Sequence, residues 1–145
     1  FRSRVEVRAR MDLSPRSMAS VWMVGLEDEP RRCGEICVFE VFGDSLDENG
    51  AAVGQGIHPF RDPGLVDDFE APRREIDVAE WHVYAVDWRE DRVDFLVDGD
   101  VVRTVDQSPD YPMQVIMAVF DFPDHPQASD IAHVPRLDVD EVVGG

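Results

Sequence analysis

Between Trp81 and Val105 the chain spells three extended runs joined by two turns, and this meander most narrows the choice of fold. Trp81-His82-Val83-Tyr84-Ala85-Val86-Asp87-Trp88 is rich in aromatic and β-branched residues, which suit a pleated, half-buried surface. Arg89 to Asp91 turns, and Arg92-Val93-Asp94-Phe95-Leu96-Val97 alternates polar with apolar. Asp98-Gly99 supplies the positive φ that a tight hairpin needs, and Val101 to Val105 returns. The same pattern runs through the rest of the chain. Arg4 to Met11 alternates charged and apolar side chains, the period of a strand with one wet face. Ala19 to Val24, Glu35 to Phe42, Met113 to Phe122 and Leu137 to Val143 read as strands, as does Ala51 to Phe60, interrupted by Gly54 and Gly56. Ser14 to Ser17, Glu27 to Gly34, Asp44 to Gly50, Arg61 to Arg74 and Pro123 to Pro135 read as turns and loops. Residues 66–82 carry no sustained helical period, and Pro72 interrupts them. Many short strands between turn residues predict an all-β sandwich or barrel. The 145 residues suit one domain, 1–145.

Charge excludes some partners. The formal net charge is −17, with fourteen arginines and no lysine. Nucleic-acid phosphates and anionic lipid need basic patches, so neither is expected as a partner. A neutral sugar is permitted. The two cysteines, Cys33 and Cys37, would lie roughly 13 Å apart on one extended segment, too far for a disulfide, and are expected to be free thiols. No apolar run of about 18 residues and no secretory signal is present. Phe1 opens the chain without an initiator Met and a strand follows almost at once, so N-terminal strands are expected to precede it. Localisation stays open between secreted and cytoplasmic.

The chemistry concentrates in Gly34-Glu35-Ile36-Cys37-Val38-Phe39-Glu40-Val41-Phe42-Gly43. Strict alternation puts Glu35, Cys37 and Phe39 on one face and Glu40 on the other. One extra residue, a β-bulge, would return Glu40 to the face of Glu35 and Cys37. Two carboxyls on one face of a rigid strand suit acid/base and nucleophilic work on a glycosidic bond. The plain alternative is an edge strand with solvated glutamates.

These segments together resemble glycoside hydrolase family 16, the laminarinase, lichenase and agarase group. Glu35-Ile36-Cys37-Val38-Phe39-Glu40 is similar to the bulged form of its Glu-x-Asp-x-x-Glu motif, with Cys37 in place of the middle acid. Arg4 to Arg8, Ser20 to Gly25, the Trp81 to Gly99 hairpin, Pro112 to Val119 and Asp138 to Val142 resemble the family's other strands, in the right order. The resemblance implies a concanavalin A-like jelly roll of two antiparallel sheets. It implies retaining, endo-acting cleavage of a β-glucan-like polysaccharide or oligosaccharide. Glu35 would be the nucleophile and Glu40 the general acid, then the base. Trp22 and His58 would line the substrate groove. Asp140 resembles a last-strand aspartate that helps hold a structural calcium in some members; no other cofactor is implied. Family domains are usually longer, in keeping with preceding strands.

A retaining pair needs carboxyls about 5–5.5 Å apart. Positions 35 and 40 lie up to about 16 Å apart on an extended strand, so a bulge, curvature and inward-leaning side chains must close the gap. Cys37 is the departure. A thiol with an ordinary pKa of about 8.5 is mostly neutral near pH 7. Losing that negative charge should ease ionisation of Glu35 and leave Glu40 a poorer acid, weakening or altering catalysis. Cys37 itself reads as a small buried hydrophobe. The alternative function is a non-catalytic carbohydrate-binding domain on the same fold; a structural or protein-interaction domain without a sugar site is a third.

Other constellations point nowhere. His58, His82, His125 and His133 show no paired metal spacing. There is no Gly-x-Ser-x-Gly elbow and no phosphate-binding glycine loop. Asp44, Asp47, Glu48 and Asn49 crowd one turn without the EF-hand spacing and read as solvated. Trp81 and Trp88 read as packing residues; Trp22 reads equally as packing or sugar platform.

Overall fold

The computed structural model describes residues 3–126 and 132–145. Among them run β1 (Arg4–Asp12), β2 (Ser17–Gly25), β3 (Glu35–Phe42), a 3₁₀ turn (Gly43–Ser45), β4 (Ala51–Ala52), β5 (Gly54–His58) and β6 (Asp68–Glu70). Then follow β7 (Arg73–Arg74), β8 (His82–Trp88), β9 (Val93–Val97), β10 (Asp100–Val105), β11 (Met113–Asp121) and β12 (Arg136–Gly144). Two five-stranded sheets form, one ordered β10-β9-β8-β1-β12 and the other β11-β2-β3-β5-β6, with β4 and β7 as a separate ribbon. Every pairing between named strands is antiparallel. This is the all-β sandwich of the jelly-roll, concanavalin A-like kind that the turn-punctuated strands predict.

Period two builds the core. Val5, Val7, Ala9 and Met11 of β1 are buried, while the arginines between them face out and meet acids of neighbouring strands. From the other sheet come Ala19, Val21 and Met23 of β2, Ile36, Val38, Phe39 and Val41 of β3, and Ile57 of β5. They meet Tyr84, Val86, Trp88, Val93 and Phe95 of the meander, and the Phe39 and Tyr84 rings lie 4.4 Å apart across the sandwich. Each such side chain contributes about 1.5–3 kcal/mol on leaving water. The Trp88 indole N–H ends at Ser108 Oγ, 2.9 Å away. Trp81 lies instead under the guanidiniums of Arg8 and Arg10, 4.6 and 4.9 Å from its ring centre. Both tryptophans of the hairpin are thus packing residues.

Three segments differ from the sequence reading. Arg61 to Arg74, read as one loop, contains β6 and β7. Asp67-Asp68-Phe69-Glu70 has three acids and nothing β-branched, so propensity hides a strand that pairing with β5 creates. Arg103 of the opposite sheet secures it by gripping Asp68 and Glu70. Ala51 to Phe60 divides at Val53, because β4 leaves the sheet to pair with β7. Gly43 to Ser45 forms a 3₁₀ turn at the head of the acidic turn. Residues 127–131 of the loop before β12 lie outside the described residues.

Candidate functional site

The bulge expected in the Glu35–Glu40 segment is present. Against β2, Val21 pairs with Phe39 and Trp22 with Cys37, so β3 carries one residue more than its partner. The β5 side has the same offset, with Cys37 opposite Gly56 and Glu40 opposite Gly54. Val38 and Phe39 both turn into the core and are fully buried. Phase therefore shifts by one, and Glu35, Cys37 and Glu40 emerge on the same face.

Two buried side chains from neighbouring strands hold that irregularity. Gln55 of β5 donates its amide N–H to the Val38 carbonyl at 3.0 Å. Ser20 of β2 donates its hydroxyl to the Phe39 carbonyl at 3.0 Å. The bulge carbonyls lack regular ladder partners, and an unpaired buried carbonyl costs about 1–3 kcal/mol. Neither Gln55 nor Ser20 carries a motif signal. The polar residue in an otherwise apolar or glycine-rich strand, Gly54-Gln55-Gly56-Ile57, is the one hint the sequence offered.

Glu35, Cys37 and Glu40 line a pocket of about 160 Å³ with Met18, Ser20, Trp22, His58 and Phe120. Trp22 and His58, the expected groove residues, are thus brought to the glutamates. Gly54 and Gly56 flank them on β5; a Cβ on Gly54 would strike the Phe69 ring at 2.5 Å, and one on Gly56 the Asp68 carbonyl at 2.2 Å. Glycine there lets β6 close up and seat His58. The His58 ring stacks on Phe69 at 4.6 Å, and its Nδ1 meets Asp67 Oδ1 at 2.7 Å. The Asp67 and Phe69 supports were missed because they sit in the segment read as loop.

Burial raises both carboxyls above the ordinary glutamate value. For Glu35 desolvation dominates; His58 opposes it, Glu40 adds to it and the Trp22 side chain opposes it by a hydrogen bond. For Glu40 desolvation is again the main cause, with His58 opposing. Glu35 thus has a hydrogen-bond donor favouring its ionised form, which Glu40 lacks. Burial pushes the Cys37 thiol well up, and the Glu40 charge pushes it further, so it is neutral, as expected of a small hydrophobe at 3% exposure. Cys33 is buried too, and neither cysteine is in a disulfide.

Asp140 lies away from this pocket. It is the extra, bulged residue of β12 in the pairing with β1, and Arg8 grips its carboxylate. Among the described residues no group of three or more His, Cys, Asp or Glu is placed to hold a metal. The carboxylate that the resemblance assigns to a structural calcium is engaged here by the Arg8 guanidinium. A larger depression of about 270 Å³ lies at the acidic turn, lined by Asp47, Glu48, Glu75 and Asp77. Its chemistry is spoken for: Asp47 accepts the Asn49 N–H at 2.7 Å and pairs with Arg73, which hold it below the usual carboxylate range. The smaller pocket, where two raised carboxyls meet an indole and an imidazole, is the candidate site. His82 bridges Asp98 and the Asp77 carbonyl, His125 meets Asp44, and His133 meets Asp12, all outside it.

Residues 2–132 match the sequence profile described as Glycosyl hydrolases family 16. No curated protein matches the chain in sequence. Solved structures share the fold. One is a GlcNAcα1-4Gal-releasing endo-β-galactosidase from Clostridium perfringens, at TM-score 0.75 and 20% identity over 94% of this chain and 35% of that one. Another is the catalytic domain of an endo-1,3-β-glucanase (laminarinase) from Thermotoga petrophila RKU-1, at TM-score 0.76 and 20% identity over 99% of this chain and 63% of that one. A laminarinase from Flavobacterium sp. UMI-01 gives TM-score 0.75 and 24% identity over 97% of this chain and 65% of that one. The chain thus spans from about a third to just under two thirds of each of these structures' lengths.

Proposed function

The chain belongs to glycosyl hydrolases family 16, and from that premise we propose that it cleaves O-glycosidic bonds inside a neutral, β-glucan-like polysaccharide with retention of configuration. The observation that carries this reading is the bulge in β3, which sets Glu35 and Glu40 on one face of a rigid strand, in one pocket.

Roles follow from environment. Glu35, with the Trp22 hydrogen bond and the His58 charge favouring its carboxylate, is the nucleophile. Its oxygen attacks the anomeric carbon as the bond to the leaving oxygen breaks. Glu40, its carboxyl raised by burial, holds a proton and delivers it to that leaving oxygen. The glycosyl group is then esterified to Glu35. Glu40, now a carboxylate, takes a proton from water as the water oxygen attacks the anomeric carbon and frees Glu35. Trp22 offers a flat apolar surface to a sugar ring.

Cys37 favours a second reading, a sugar-binding domain without catalysis. A neutral thiol between the two glutamates does not repel either charge as the family's acid would. Reducing-end release from laminarin, lichenan and agarose separates the readings. Cleavage that vanishes in Glu35→Gln supports the enzyme. Oligosaccharide binding with no cleavage supports the binding domain.

A further inference from the structure

Past Glu40, the open face of the second sheet becomes aromatic. Phe42, Met18 and Phe120 stand in one row across β3, β2 and β11. Phe120 lines the glutamate pocket itself. Phe122 follows on the same side; its ring is 8° from parallel with that of Phe120, centroids 6.4 Å apart, and 20° from that of Phe42, at 6.3 Å. The three rings are 43%, 39% and 38% exposed for Phe42, Phe120 and Phe122. A row of near-parallel rings left in water, continuous with a reactive pocket, marks a surface built for a ligand.

The surroundings narrow the ligand. Asp44, held by His125, follows Phe42 by two residues, and Glu35 and Glu40 line the pocket at the other end. Arg16, the cation nearest in sequence to Met18, has its guanidinium engaged by Asp121 at 2.6 Å. A sulfated or carboxylated sugar would meet repulsion from these carboxylates. A pyranose with equatorial hydroxyls presents flat C–H faces to the rings and hydroxyl edges to the acids. A second copy of this chain is disfavoured by the charge of −17 that each copy carries.

We propose that Phe42, Phe120 and Phe122 form a stacking subsite, beside the cleavage point, for a neutral, equatorially substituted hexopyranose unit of the polymer. The inference rests on the reading of Glu35 and Glu40 as a glycan-cleaving pair, and it names the class of sugar that their neighbouring site takes.

The test is calorimetric titration of the Glu35→Gln chain with laminarihexaose and with a sulfated carrageenan hexasaccharide. The neutral probe should bind and the sulfated one should not. Adding Phe122→Ala should weaken laminarihexaose binding about 3- to 10-fold, the weight of one lost aromatic contact, and Phe122→Trp should restore it. Phe42→Ala gives the same reading from a different strand. Binding that persists unchanged in both alanine variants overturns the subsite while leaving the glutamate pair untouched. Equal affinity for the sulfated probe overturns the assignment to neutral sugars. A concentration-dependent dimer in sedimentation that Phe122→Ala dissolves gives the face to a second copy and also overturns the proposal. Absence of all hexasaccharide binding overturns it too, and polymer cleavage by the parent chain then decides whether the glutamate reading survives.

Discussion

Gln55 donates a hydrogen bond to the carbonyl of Val38, 3.0 Å away, from a position with no exposure at all. Val38 lies in the bulge that turns β3 by one residue, so this bond joins a buried amide to the placement of Glu40. Gln55→Leu keeps the bulk and removes the donor. It should lower unfolding free energy by about 1–3 kcal/mol in urea titration, because the carbonyl stays buried without a partner. Turnover should fall by more than stability does at a temperature where the variant is still folded. A variant that loses stability but keeps full turnover would separate the bond from the site.

The raised carboxyls make stability depend on pH. A carboxyl with a folded pKa above its ordinary value of about 4.3 holds more proton when folded than when unfolded. Its contribution is therefore full below the ordinary value and lost as pH climbs through the folded one. Glu35 and Glu40 are both raised by desolvation. Glu40→Gln should accordingly melt higher than the parent near pH 7, with the difference closing below about pH 4. Thermal scans across that range read it directly; a variant destabilised equally at every pH speaks against a raised carboxyl.

Cys37→Asp places a second carboxylate beside Glu40. Like-charge repulsion raises the Glu40 pKa further, so the alkaline limb of the rate profile should move up by about one pH unit. The site is 3% exposed, and the new charge should also lower the melting temperature. Faster cleavage at neutral pH identifies Cys37 as the brake on this enzyme. An unmoved alkaline limb means Glu40 is not the proton donor.

Both thiols should resist reagents. Cys37 is buried, with its thiol pushed well up, and Cys33 is 3% exposed. A disulfide reagent at pH 7.5 should label neither in the folded chain within minutes and both in guanidinium chloride. Rapid labelling of the native protein would place a thiol in contact with water.

The strands were legible because their apolar residues recur every second position, and the meander from His82 to Val105 was fully written in local residues. Even the bulge was readable, since a six-residue span from Glu35 to Glu40 puts both carboxyls on one face only with an extra residue between them. What stayed hidden is non-local. Asp68-Phe69-Glu70 becomes a strand because β5 and Arg103 offer it partners, which no local propensity records. The His58 support by Asp67 and Phe69 depends on that strand and was hidden with it. Asp140 read as a candidate metal ligand, and its pairing with Arg8, 132 positions away along the chain, was not readable. Phe120 was indistinguishable from a core residue until the pairing with β2 turned it toward the pocket, where Phe122 stacks on it.

Proton NMR of the first sugar released from lichenan tests the central claim most directly. Attack by Glu35 on the face opposite the departing oxygen, then by water on the face that oxygen left, inverts the anomeric carbon twice, so the new reducing end should appear as the β-anomer, equilibrating to α only afterwards, and Glu35→Gln should abolish the signal. An α-anomer as the first product, or undiminished release by Glu35→Gln, would contradict it.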